Sequence, residues 1–281
     1  MSVKAFALAA MSATAVFAAA PQMDAIHTVP HELDCLLESG HIQGACCSVQ
    51  GIYLSHRLGI EKIGWDGKLV KHVDVPDHLG DSAFADGKIY GAFCVRDKGK
   101  RKGGKQGLVR VWDEDLNVID EAWFDEALDG IVVLGDTIYV GVDRWGSKKH
   151  PLCCVKRLGL DLSDRGNVDV DLGYEIHYGV QTMATDGKSL FFGNYGGTSR
   201  VSADLKSSEK IAISCAEGFG MVPRSVSKSD TPVFFAVRAM GGNMQGWRKD
   251  PANNPPRIRI EFFEYADGRF NFITNKSSII R

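Results

Sequence analysis

Eight polar residues of chemically useful kinds recur at related places in the chain: His41, Gln43, His78, Asp81, Asp129, His177, Gln181 and Glu217. Imidazole and carboxylate together suit zinc or another divalent metal ion, with His41, His78 and Glu217 as candidate ligands. Asp81, Asp129 and Glu217 also offer the paired carboxylates of glycoside cleavage, one protonated and one ionised. A plainer reading has these groups bind water and the backbone ends of strands.

Two loops add aromatic surface. Trp247 stands beside Arg248 in the polar stretch 240–256, and Trp145 lies in Asp143-Arg144-Trp145-Gly146. A flat apolar ring with a nearby donor suits a sugar, although either Trp could instead anchor its own loop. In the basic loop 97–106, Gly99, Gly104 and Lys105 have the spacing of a phosphate-binding loop. Gln106 replaces the required Ser or Thr, and strands rather than a helix follow, so a nucleotide site is rejected. The chain has no G-x-S-x-G elbow, no H-E-x-x-H, no calcium-binding EF-hand loop and no G-x-G-x-x-G.

What could bring such distant residues together is a repeat. Gly44 to Ile52, Asp81 to Ile89, Gly130 to Ile138 and Thr182 to Leu190 are each an interval of eight positions. Each interval joins a small, apolar segment to an Ile-Tyr-Leu-like strand, often through an Asp-Gly or Gly-Asp pair such as Asp86-Gly87, Gly135-Asp136 or Asp186-Gly187. Those pairs supply the positive φ of a tight hairpin. Two more strands follow in each unit, and a fifth unit runs from Gly220 through Val233-Phe234-Phe235 to Ile273 after an insertion.

Four short strands per unit make the blade of an all-β propeller, and about 52 residues per unit predicts five blades. A sixth blade would require residues 21–40 to supply most of one. The segment near Ile26 to Val29 is instead expected to add an outer strand to the last blade and close the ring, removing its exposed edges. Sandwiches and barrels also consist of short strands, but neither accounts for four equal intervals. The small first strands suit a crowded central channel, and Trp112, Trp123 and Phe262 are expected to fill the wider space between blades.

The repeat also ranks the polar residues by depth at one channel mouth. His41, His78, Ala127 and Gly179 share a level, where Glu217 is placed for the fifth unit. Gln43, Gly80, Asp129 and Gln181 come next, followed by Asp81 with Gly44, Gly130 and Thr182. His177 precedes the fourth inner strand on the same side.

Composition bounds the partners. Of 281 residues, 44% are hydrophobic, enough for a substantial core, and a formal net charge of −2 gives no general attraction to nucleic acid or anionic lipid. Residues 1–20 run from Lys4 through an apolar stretch to Ala18-Ala19-Ala20, the order of a secretory signal peptide. The expected organisation is therefore a signal peptide followed by a single propeller domain over 21–281, exported to the periplasm or beyond. No later stretch is long and apolar enough for a spanning helix. The seven cysteines cannot all pair with one another, and Cys46, Cys47 and Cys94 read as small strand hydrophobes.

The stretches His41-Ile42-Gln43-Gly44, His78-Leu79-Gly80-Asp81, Gly179-Val180-Gln181-Thr182 and Gly193-Asn194-Tyr195-Gly196 resemble those of uncharacterised secreted bacterial propeller proteins, a resemblance that implies a fold and no activity. Ile42-Gln43-Gly44 before an Ile-Tyr-Leu strand is similar to the opening blade of five-bladed bacterial glutaminyl cyclases, with no catalytic role carried over.

The expected function is binding of a small polar, carbohydrate-derived ligand at the channel mouth, by residues drawn from His41, Gln43, His78, Asp81, Asp129, His177, Gln181, Glu217, Trp145, Trp247 and Arg248. The alternatives are a metal-assisted or two-carboxylate hydrolase or lyase at the same mouth, and a non-catalytic scaffold for a protein partner.

Overall fold

The computed structural model describes residues 32–36, 41–96, 105–144, 146–240 and 257–273. Five antiparallel sheets form a five-bladed β-propeller. Blade 1 consists of Ile42–Ser48, Gly51–His56, Gly59–Ile63 and Leu69–Asp74. Blade 2 consists of His78–Ala85, Lys88–Arg96, Lys105–Asp113 and Val118–Phe124. Blade 3 follows with Leu128–Leu134, Thr137–Val142, His150–Gly159 and Asp164–Ile176, and blade 4 with Thr182–Thr185, Ser189–Asn194, Gly197–Ser202 and Ser208–Ile211. Blade 5 has Phe219–Met221, Val233–Met240 and Arg257–Ala266.

The eight-residue interval has a direct structural counterpart. Cys47 pairs with Ile52, Phe84 with Ile89, Val133 with Ile138 and Thr185 with Leu190. Four blades thus begin in one register. In blade 5 the corresponding pair is Met221 with Phe234, because a single helical turn, Arg224–Ser227, lengthens the connection. The Asp-Gly turns behave as their chemistry requires: Asp86 and Gly87 have φ of 49° and 73°, and Asp267 and Gly268 have 52° and 74°. Two successive positive φ values match the right-handed twist of the flanking strands.

The fourth strand of blade 5 is composite. Glu32–Leu36 covers one half of the Arg257–Ala266 edge, pairing Glu32 with Glu261, and Arg269–Phe272 covers the other, pairing Phe263 with Phe272. Closure by an N-terminal strand is as expected, but the closing strand is Glu32–Leu36. Residues 26–29 and the signal-peptide segment 1–20 lie outside the described residues. Among the described residues no helix is long and apolar enough to cross a membrane.

Each hydrophobic cluster straddles two neighbouring blades. Tyr53 and Ile60 of blade 1 meet Phe93 and Trp112 of blade 2, and Phe191 of blade 4 meets Phe219, Phe234 and Tyr265 of blade 5. Because successive side chains of a strand point to opposite faces, adjacent cysteines part company. Cys46 enters the core between blades 1 and 2 and Cys47 that between blades 5 and 1; Cys153 and Cys154 divide likewise. Cys46, Cys47, Cys153, Cys154 and Cys215 are free and buried, and burial pushes every one of these thiols upward, Cys153 to about 12 and Cys154 to about 11. They are inert packing groups. Trp112 and Phe262 are fully buried as expected, but Trp123 is exposed, because it lies on the outer strand of its blade, which faces solvent.

The blades converge so closely that glycine is required where they touch. A Cβ on Gly44 would stand 2.4 Å from Asp81 Cα, and one on Gly80 would stand 3.0 Å from the Asp129 carbonyl oxygen. These neighbours are backbone and cannot swing away. Gly44→Ala is therefore expected to destabilise the fold by about 3 kcal/mol, the upper end of overpacking costs. Urea unfolding checks this, and an unchanged midpoint would show that the inner strands can separate freely.

Candidate functional site

The innermost strand of every blade is a sheet edge, so alternate N–H groups point into the channel without a strand partner. Asp81 answers three of them. Its Oδ1 accepts the N–H of Ala45 at 3.2 Å, and its Oδ2 accepts those of Ile131 at 3.3 Å and Met183 at 2.7 Å. One fully buried side chain from blade 2 thereby ties the inner strands of blades 1, 3 and 4. This corrects the placement of Asp81 among ligand-binding residues and possible paired carboxylates: it lies beneath the mouth and lines no part of it.

β-Bulges set this geometry. The pairing slips between Ile42 and Gly44, between Leu79 and Ser82, and between Leu128 and Ile131. The slips fall at Gln43, at Gly80-Asp81 and at Asp129-Gly130, where an extra residue re-aims the side chains that a regular strand would turn into the inter-blade cores. Nothing in the residue types marks them.

Above Asp81 opens a polar cavity of about 220 Å³, lined by His41, Gln43, His78, Cys94, Asp129, Asp143, Tyr178, Gln181 and Tyr195. Blades 1 to 4 all contribute. Below Asp81, residues one to three positions further along the inner strands line a second, largely apolar cavity of about 250 Å³, including Ala45, Cys47, Ala83, Val132, Met183 and Phe219. The two ends of the channel are chemically opposite.

Five of the polar residues singled out from sequence, His41, Gln43, His78, Asp129 and Gln181, meet in the upper cavity. His41 donates from Nδ1 to its neighbour's carbonyl, Ile42 O, at 2.7 Å, while its Nε2 accepts from the Gln43 amide at 2.8 Å. Gln181 donates to Asp129 Oδ2 at 2.9 Å and to the Tyr178 carbonyl at 2.7 Å, which leaves its amide oxygen as the group it can offer.

The remainder are placed differently. His177 does not line the cavity; its ring stacks on Tyr195, with centroids 5.1 Å apart and planes at 21°. Glu217 also stays outside, accepting the N–H of Ala239 at 2.8 Å. Counting from the Met221–Phe234 pair, it belongs to the level of Gln43, Asp129 and Gln181, and not to that of His41. The helical turn in blade 5 hid this offset. His41, His78 and Glu217 accordingly form no ligand group, and both ring nitrogens of His41 are already engaged. Among the described residues, the group whose ligand atoms lie within 4.8 Å of one another is His56, Glu61 and His72 of blade 1. Trp145, Trp247 and Arg248 lie outside the described residues.

Two tyrosines join the site that the repeat alone does not point to. Tyr178 and Tyr195 are exposed, meet edge to face at 6.1 Å and line the same cavity. Burial of part of its ring, followed by the charges of Asp129 and Glu217, pushes the Tyr195 phenol above its usual range, so it remains a neutral hydroxyl. The available signal was positional: Tyr195 occupies the turn between the second and third strands of blade 4, which must return to the face where inner strands begin.

No protein-family model and no curated protein matches the chain. Among solved structures, the glutaminyl cyclase of Myxococcus xanthus superposes with a TM-score of 0.52 at 9% identity, over 84% of this chain and 98% of the other. The GH43_1 enzyme of Xanthomonas citri in complex with xylose gives 0.54 at 10% identity, over 86% and 93%, and its complex with xylotriose gives 0.52 at 11%, over 84% and 91%. At such identities the likeness is one of fold.

Burial pushes the Asp81 carboxyl well above the usual carboxylate range, against the lowering effect of the amide donors of Met183, Ile131 and Ser82; the charge of Asp129 adds to the rise. The folded chain holds the Asp81 proton more tightly than the unfolded chain, where Asp titrates near about 3.9. The resulting stability is complete below that pH and is lost as pH rises through the raised folded value. Urea unfolding of wild type and Asp81→Asn from pH 4 to 8 should show the wild-type advantage shrinking with rising pH. An advantage that grows with pH would reverse the assignment.

Proposed function

We propose that the upper channel mouth binds a small, polyhydroxylated, carbohydrate-derived ligand. The observation that carries this reading is the pairing of an acceptor-rich lining with exposed aromatic rings. Asp129, Asp143 and the Gln181 amide oxygen offer acceptors to ligand hydroxyls, and Tyr178 and Tyr195 offer apolar faces with hydroxyl tips. The volume is below the roughly 300–1,000 Å³ of pockets for drug-sized ligands, which suits a single sugar ring or the end of a chain.

Preorganisation supports the same reading. Gln181 holds Asp129 in place and is itself tied to the backbone that carries Tyr178, so part of the ordering cost of binding is met before the ligand arrives. Trp145, Trp247 and Arg248, which lie outside the described residues, are proposed as additional contacts. A protein of similar fold has been crystallised with xylose and with xylotriose, which agrees with a sugar-sized ligand. The N-terminal segment supports export, where free glycans are met.

The test is a glycan array followed by calorimetry on the best ligand. Asp129→Asn should weaken binding about 10- to 100-fold, as expected for loss of a hydrogen bond to a charged group. Tyr195→Ala should weaken it about 10-fold through lost ring contact. Binding that survives both substitutions together would remove this cavity from the account. Turnover of the bound glycan by wild type but not by Asp129→Asn would extend the reading from binding to hydrolysis.

A further inference from the structure

Blade 1 carries a second constellation, outside the channel and independent of the ligand reading above. His56 ends the second strand, Glu61 lies in the third and His72 in the outer one. The register pairs Glu61 directly with His72, and His56 with Gly59 two positions away. The strand pleat therefore projects all three side chains from one face of the blade. Glu61 Oε1 lies 3.1 Å from His56 Nε2 and 3.5 Å from His72 Nδ1. The imidazoles stack with centroids 5.6 Å apart. Glycine at position 59 makes this approach feasible, since a Cβ there would stand 2.6 Å from His56 Cε1 and 2.8 Å from His72 Cε1.

We propose that this trio binds a divalent transition ion of the zinc class through His56 Nε2, Glu61 Oε1 and His72 Nδ1. A tetrahedral zinc with bonds of about 2.0–2.1 Å separates its ligands by about 3.3–3.4 Å, and the two Glu61 distances fall on either side of that edge. His56 is fully buried, yet neither of its ring nitrogens meets the geometry of a hydrogen bond. Its Nε2 faces Glu61 Oε1 at contact distance without donor alignment, the relation of two ligands to a common ion. His72 Nε2 meets Asp74 Oδ1 at 3.1 Å, so metal on Nδ1 leaves the other N–H donating to a carboxylate, as metal-bound histidines commonly do. Glu61 is buried together with His56, so the candidate ligand atoms are shielded from solvent on that side. Two histidines and a glutamate form one of the established three-ligand zinc sets, and the partly exposed side at His72 and Asp74 leaves the fourth position to water. Such an ion would pin the three outer strands of blade 1 together.

The test uses the full chain after chelator treatment, titrated with zinc by calorimetry and with cobalt by visible absorption. One equivalent of zinc per chain, a rise in Tm with zinc and a tetrahedral cobalt spectrum are expected. His72→Ala should lose zinc affinity by more than about 100-fold, and Asp74→Ala by about 10- to 100-fold. The proposal is overturned if folded wild type takes up neither ion, or if His72→Ala keeps wild-type affinity. Loss of binding in a His41→Ala, His78→Ala double variant with retention in His72→Ala would overturn it equally, by moving the ion to the channel mouth. Should His72→Ala not fold, Asp74→Ala decides the matter, because its side chain is exposed and plays no part in packing; unchanged affinity there contradicts the assignment.

Discussion

The bonds from Asp81 to Ala45, Ile131 and Met183 are the interaction on which the rest of the molecule depends. A propeller must bring several sheet edges together at its axis, and each edge carries N–H groups that no strand can satisfy. A water-filled channel would solve this by hydration. Here one carboxyl group is placed so that its two oxygens serve amides of three blades. Small residues follow from it, because Gly44 and Gly80 must let the next blade's backbone come within touching distance. So does the chemical division of the channel, with polar groups collected on one side of Asp81 and apolar inner-strand side chains on the other.

The floor laid by Asp81 gives the mouth its shape. Bulges at Gln43, Asp129 and Asp81 release the inner strands from strict alternation where a polar side chain must face the axis. Gln181 then couples Asp129 to the Tyr178 backbone, so the acceptors and aromatic rings are positioned by one hydrogen-bonded unit. Blade 1 solves a different problem on its outer strands, where His56, Glu61 and His72 crowd around the space that Gly59 leaves open. The blade 1 constellation is built across strands, whereas the mouth also draws on Asp143, Tyr178 and Tyr195 from the connections between them.

The repeat was legible because it is a local property. The pairing Cys47–Ile52 and its three equivalents depend only on hairpins whose turn chemistry is written in Asp-Gly and Gly-Asp pairs. Once register is known, the meeting of His41, Gln43, His78, Asp129 and Gln181 follows from ring closure. What sequence could not show depends on contacts between blades. Asp81 looks like its neighbours in the list of polar residues, and only the convergence of three foreign amides distinguishes it. The depth of Glu217 is hidden in the sequence because the helical turn of blade 5 breaks the interval. The size of Trp123 suggests a core residue, but size does not tell which strand of a blade a residue occupies. His56, Glu61 and His72 follow no motif spacing, since cross-strand register assembles them.

Native-state hydrogen exchange of wild type and Asp81→Ala, followed at single amides, tests the central claim most directly. The amides of Ala45, Ile131 and Met183 lie in three different blades and share only the Asp81 side chain as acceptor. The account predicts that all three lose protection together in Asp81→Ala, ahead of second-strand amides such as those of Leu54 and Val140. Protection that persists at these three amides, or that falls evenly across every blade, would contradict it.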